Sequence, residues 1–87
     1  MSQPKVSCWF VRDPNEAPEL IEAQEFVGGY VEVLQMNNYQ VLINDEGSGL
    51  LTNKEVTDMV ERAGIYRVDG RGIVGNAIIL YGDAQWK

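Results

Sequence analysis

Hydrophobic and polar positions change their period several times along the chain, and each change marks an element. From Lys5 to Val11 the residues are mostly apolar, with Val, Trp and Phe among them, which predicts a strand. The turn-rich Arg12-Asp13-Pro14-Asn15 stops it. Between Glu16 and Val27, Leu20, Ala23, Phe26 and Val27 recur at helical spacing. Pro18 suits a first turn, Glu16, Glu19 and Glu22 lie near the positive end of the helix dipole, and Gly28-Gly29 closes the element.

Tyr30–Met36 and Tyr39–Asn44 read as the two arms of a hairpin, with Asn37-Asn38 as its turn. A two-residue turn sets the register, so that Met36 faces Tyr39, Leu34 faces Val41 and Glu32 faces Ile43. The opposite face then carries Val31, Val33 and Leu42, with Gln35 and Gln40 near the turn. Both faces are therefore apolar toward the open end, unlike a sheet with one watered side. Either other elements cover both faces or one face meets a second copy of the chain.

Asp45 to Gly49 reads as a loop. A second helix is predicted from Thr52, whose hydroxyl caps it, with Glu55 completing a capping box. Val56, Met59, Val60 and Ala63 mark one face, and Gly64 ends it. Ile65 to Val68 reads as a short strand, Asp69 to Gly72 as a turn, and Ile73 to Tyr81 as a last, buried strand. The fold class is α+β, as a single domain over residues 1–87. A two-layer sandwich is expected, with a mainly antiparallel sheet of four to five strands and two short helices packed on one face. The order is roughly β-α-β-β-α-β, formally that of a ferredoxin-like fold.

Charge narrows the range of partners. Seven basic and thirteen acidic residues leave a net charge of −6, and phosphate-directed binding of nucleic acid needs a basic stripe. The longest uncharged apolar run, Ile73 to Tyr81, is far shorter than the ~20 residues of a membrane helix. The first residues carry no signal-peptide pattern. The single cysteine, Cys8, forms no internal disulfide. These features point to a cytoplasmic protein, with neither nucleic acid nor membrane as partner.

Catalytic chemistry is sparse. There is no histidine, the commonest general base and metal ligand. Cys8 sits inside an apolar strand, where a thiol is inert. Gly70-Arg71-Gly72-Ile73-Val74-Gly75 has the spacing of a dinucleotide-binding loop, but it leads into a strand rather than a helix. Asn44 to Gly49 is rich in oxygen ligands but lacks the spacing of a calcium loop. No catalytic residue, metal ligand or cofactor is assigned. Arg67 and Arg71, with Asn44 and Asp45, are the candidate contacts for a small anionic, nucleotide-like ligand. Val31, Val33, Leu42 and the near-terminal Trp86 are the candidate interface, since an exposed Trp forfeits a large apolar burial.

The segment Leu20 to Glu32, LIEAQEFVGGYVE, resembles the signature of a family of small uncharacterised proteins typical of bacteriophages and mobile elements. That signature has Val-Gly-Gly-Tyr-Ile-Glu followed by a strand ending in Asn-Glu-Glu-Gly. Val27-Gly28-Gly29-Tyr30-Val31-Glu32 matches the first block, and Asn44-Asp45-Glu46-Gly47 matches the second with one acidic swap. Asn53 and Ile73-Val74-Gly75-Asn76-Ala77 match further positions, so the resemblance runs roughly from Pro18 to Gly82. It implies a viral or mobile-element accessory protein in a host cytoplasm, without an established activity. The expectation is a non-enzymatic protein-interaction module, a homodimer acting on a host protein. A small-molecule binding or sequestering protein is the alternative.

Overall fold

A computed structural model describes residues 6–46, 51–64 and 72–87. The elements are β1 (Cys8–Val11), α1 (Leu20–Val27), β2 (Val31–Gln35), β3 (Tyr39–Asn44), α2 (Lys54–Ala63) and β4 (Ala77–Tyr81). Single 3-10 turns precede α1, at Pro14–Glu16, and follow β4, at Gly82–Ala84. The expected strand at 65–68, the turn residues 69–71 and the loop residues 47–49 lie outside the described residues.

The four strands form one mixed sheet in the order β1-β4-β3-β2. β2 and β3 pair antiparallel with Glu32 opposite Ile43 and Leu34 opposite Val41, the register expected of a two-residue turn. β4 pairs antiparallel with β3 and parallel with β1. The α+β class, the four strands and the two short helices are as the sequence pattern predicted.

The helices do not share a face. Val56 and Val60 of α2 pack with Leu34, Val41, Ile43 and Ile79. Ala23 and Val27 of α1 pack with Val11, Leu42, Ile78 and Leu80 on the other side. The expected two-layer sandwich is thus three layers deep, with one helix on each face. The reason is visible in the hairpin: an apolar side chain on either face of β3 needs cover, and one helical layer covers only one face. Helices on opposite faces, with β1 at the edge, also set the fold apart from a ferredoxin-like sandwich.

Three element boundaries moved for local reasons. The first helix begins at Leu20 rather than Glu16, because Ala17, ahead of Pro18, is extended with ψ 133°. Proline disfavours a helical residue before it. The second helix is capped by Asn53, whose side chain accepts from the Val56 N–H at 3.4 Å, and not by Thr52. Thr52 instead forms an isolated antiparallel bridge with Val74. The last strand begins at Ala77 rather than Ile73, since Gly75 has φ +83°, which breaks an extended run.

Candidate interaction surface

Polar side chains tie the elements together at one end of the sheet. The buried Asn53 donates from Nδ2 to the Gly75 carbonyl at 2.9 Å and receives the Cys8 thiol on Oδ1 at 3.5 Å. Asn76 accepts from the Ser7 N–H at 2.8 Å and donates to the Phe26 carbonyl at 2.9 Å. Asn44 donates to the Val27 carbonyl at 3.1 Å and accepts from the Glu46 N–H at 2.9 Å. A Cβ on Gly29 would lie 2.8 Å from Asn44 Nδ2, so the helix end and the strand approach too closely for a side chain there. Every fully buried side-chain nitrogen or oxygen among the described residues has a hydrogen-bond partner.

These contacts account for several residues singled out from the sequence. Asn44 spends its carboxamide on the α1–β3 joint, while Asp45 is exposed and bonds through its N–H to the Tyr30 carbonyl at 2.8 Å. Arg67 and Arg71 lie outside the described residues. Burial pushes the Cys8 thiol up from its ordinary value; the hydrogen bond to Asn53 opposes this and the Glu55 charge adds to it. A thiol so held is a poor nucleophile. Among the described residues no group of three or more Cys, Asp or Glu side chains is placed to hold a metal ion. No helix among them is long and apolar enough to cross a membrane.

The candidate interface residues separate into two kinds. Leu42 is fully buried beneath α1 and offers no surface. Trp86 is half-buried against the same cluster, and its indole N–H donates to the Pro18 carbonyl at 3.0 Å. Its backbone is clasped by Gln40, whose Oε1 accepts the Trp86 N–H at 2.6 Å and whose Nε2 donates to the Trp86 carbonyl at 2.9 Å. Val31 is half-buried against this core, but Val33 is 41% exposed.

Val33, paired with Leu42, stands on the sheet face that α1 covers. Leu20 is 55% and Ile21 66% exposed. The Asn76 bond to Phe26 and the Trp86 bond to Pro18 hold α1 along the strands, one at each end. One flank of α1 faces β1, where Phe26 meets Trp9 edge-on with centroids 5.4 Å apart. At ~100° per residue, Leu20 lies about 120° around the helix from Phe26 in one sense and Ile21 about 140° in the other, so neither shares the flank of Phe26. Met36 N–H bonds to the Tyr39 carbonyl and Asp45 N–H to the Tyr30 carbonyl, so the even-numbered residues of β2 address β3. The backbone groups of Val31, Val33 and Gln35 point the other way. Among the described residues no strand lies beyond β2.

A second surface lies on the α2 side. A groove of about 360 Å³ runs between Phe10 of β1 and Glu55, Asp58, Met59 and Arg62 of α2. Phe10 stacks near Tyr81 with centroids 6.4 Å apart, Tyr39 stands 5.7 Å from Tyr81, and the Arg12 guanidinium lies 4.4 Å from the Tyr81 ring centre. Phe10 and Arg12 were not singled out from the sequence. The available signal was the period-two alternation of Cys8, Phe10 and Arg12, which puts all three on one face.

The fold and these surfaces define an α+β protein with a mixed four-stranded sheet, a helix on each face and exposed apolar residues on α1 and β2. No family model matches the chain, and no curated protein or solved structure matches it either.

Proposed function

We propose that this chain is a non-enzymatic protein-interaction module that works as a homodimer. The observation that carries the reading is the exposure of the apolar Leu20 and Ile21 on α1 and Val33 on β2. Exposed apolar side chains favour association over solvation. The chain's lack of histidine and the half-buried, hydrogen-bonded state of its one cysteine support a role without catalysis. The Val-Gly-Gly-Tyr block supports placing it with the accessory proteins of phages and mobile elements, acting on a protein of the host cytoplasm.

Native mass spectrometry of gently purified protein tests this reading, because one spectrum reports both assembly and retained ligand. A dimer at its bare mass is expected. A monomer carrying a few hundred daltons of extra mass would instead establish a small-molecule binder and remove the interaction reading.

A further inference from the structure

We propose that residues 82–87 form a latch on α1. With Trp86 seated, the helix is held to the sheet; when Trp86 leaves, α1 and the strap open together while the α2 face stays closed. The latch belongs to a single chain and is independent of the homodimer reading.

Trp86 is attached in two directions. Its main chain is fixed to the sheet by Gln40, a buried side chain of β3, which accepts the Trp86 N–H at 2.6 Å and donates to its carbonyl at 2.9 Å. Gln35 braces this clasp, accepting from Gln40 Nε2 at 2.9 Å and donating to Gln85 Oε1 at 2.9 Å. The indole reaches the other way. Its N–H donates to the carbonyl of Pro18, the buried residue just ahead of the Glu19 cap of α1. One residue thus joins the sheet, through its backbone, to the start of the helix, through its ring. The 3-10 turns Pro14–Glu16 and Gly82–Ala84 also touch, and Ala84 is buried in the core beneath α1.

The helix depends on such ties because its own packing is thin. Of its eight residues Ala23 and Val27 alone are buried, and Leu20 and Ile21 are exposed. Its far end is held by Asn76 and Asn44, which donate to the Phe26 and Val27 carbonyls. Its near end is held by Trp86. The apolar clusters under α1 and α2 lie on opposite faces of the sheet. Segments with few buried contacts open at a lower free energy than the whole molecule, so α1 can lift while α2 stays packed. Opening uncovers Leu42 and Leu80, which gives this face a closed and an open state.

Native-state hydrogen exchange of the full chain, read residue by residue by NMR, tests the latch. In the unmodified protein the Trp86 indole N–H and the amides of Ala23 to Val27 are expected to share one level of protection, below that of Thr57 to Val60. Trp86→Ala is expected to speed exchange at Ala23 to Val27 at least about tenfold, with less than about twofold change at Thr57 to Val60. Trp86→Phe keeps a ring in the core and removes only the donor, so the same selective change is expected at smaller size. Should Trp86→Ala fail to fold, Trp86→Phe decides. Equal acceleration on both faces, or none in α1, overturns the latch, as does an indole that exchanges freely above a well-protected α1.

Discussion

The carboxamide of Asn53 sits where three segments meet: the start of α2, the approach to β4 and the start of β1. Its oxygen caps the helix and accepts the Cys8 thiol, while its nitrogen donates to the Gly75 carbonyl and reaches toward that of Ser7 at 3.5 Å. Removing it costs a helix cap, about 1 kcal/mol, and leaves a buried carbonyl unpaired, about 1–3 kcal/mol more. Asn53→Ala is therefore expected to lower unfolding stability by roughly 2–4 kcal/mol in urea titration. Thr52→Ala, at an exposed position, is expected to cost less than about 1 kcal/mol. Equal losses would mean that Thr52 is the cap after all. In sequence, both residues are ordinary cap formers one position apart. The choice falls to Asn53 because its amide has a donor as well as an acceptor, and the buried corner needs both.

At the scale of elements, α2 was the most legible. Val56 and Val60 form its buried stripe, packed on the sheet, and Thr57 beside them trades hydrogen bonds with Ile73, accepting its N–H at 2.8 Å. Lys54 and Asp58 make an exposed pair at 3.6 Å on the outer side. Burial and surface charge differ in what they contribute. Val60→Ala removes two buried methyl groups' worth of contact and is expected to cost roughly 2 kcal/mol. Lys54→Ala breaks only a screened surface pair and is expected to cost under about 0.5 kcal/mol. Thermal unfolding of the two variants side by side checks the ranking. The first helix was less legible because its acidic, proline-containing approach satisfies helix-start rules at several places. The structure resolves it with a 3-10 turn, then Pro18, then a helix whose Glu22 carboxylate accepts the Glu19 N–H at 3.2 Å.

At the scale of the whole molecule, the hairpin's two apolar faces posed a choice between internal cover and a second copy. The structure divides the answer by residue. Leu42 is enclosed by α1, so Leu42→Lys would bury an unpaired charge. It is expected to abolish the cooperative unfolding transition at 25 °C. Val33→Lys places its ammonium at an exposed edge and is expected to remain folded. Circular dichroism melts of the two variants decide: a folded Leu42→Lys would mean that α1 does not seal this face. Trp86 settles similarly, since its indole closes over Pro18 and its backbone is clasped by Gln40, making it part of the core wall rather than a free anchor.

Local spacing along the chain determined the α+β class, the hairpin and its register, the amphipathic face of α2 and the glycine-marked helix ends. Each depends on residues within a few positions of one another. Asn44 was read from the sequence as a candidate anion contact, whereas the structure makes it a joint between α1 and β3. Only the tertiary structure decided which sheet face each helix covers, that β1 lies at an edge parallel to β4, and which apolar residues stay in water. Those outcomes depend on contacts between segments distant in sequence, such as Trp9 with Phe26 or Gln40 with Trp86, for which periodicity carries no signal. The exposure of Val33 is such an outcome: it has the same residue type and alternation as a core position, and only the strand order among the described residues leaves it at the rim.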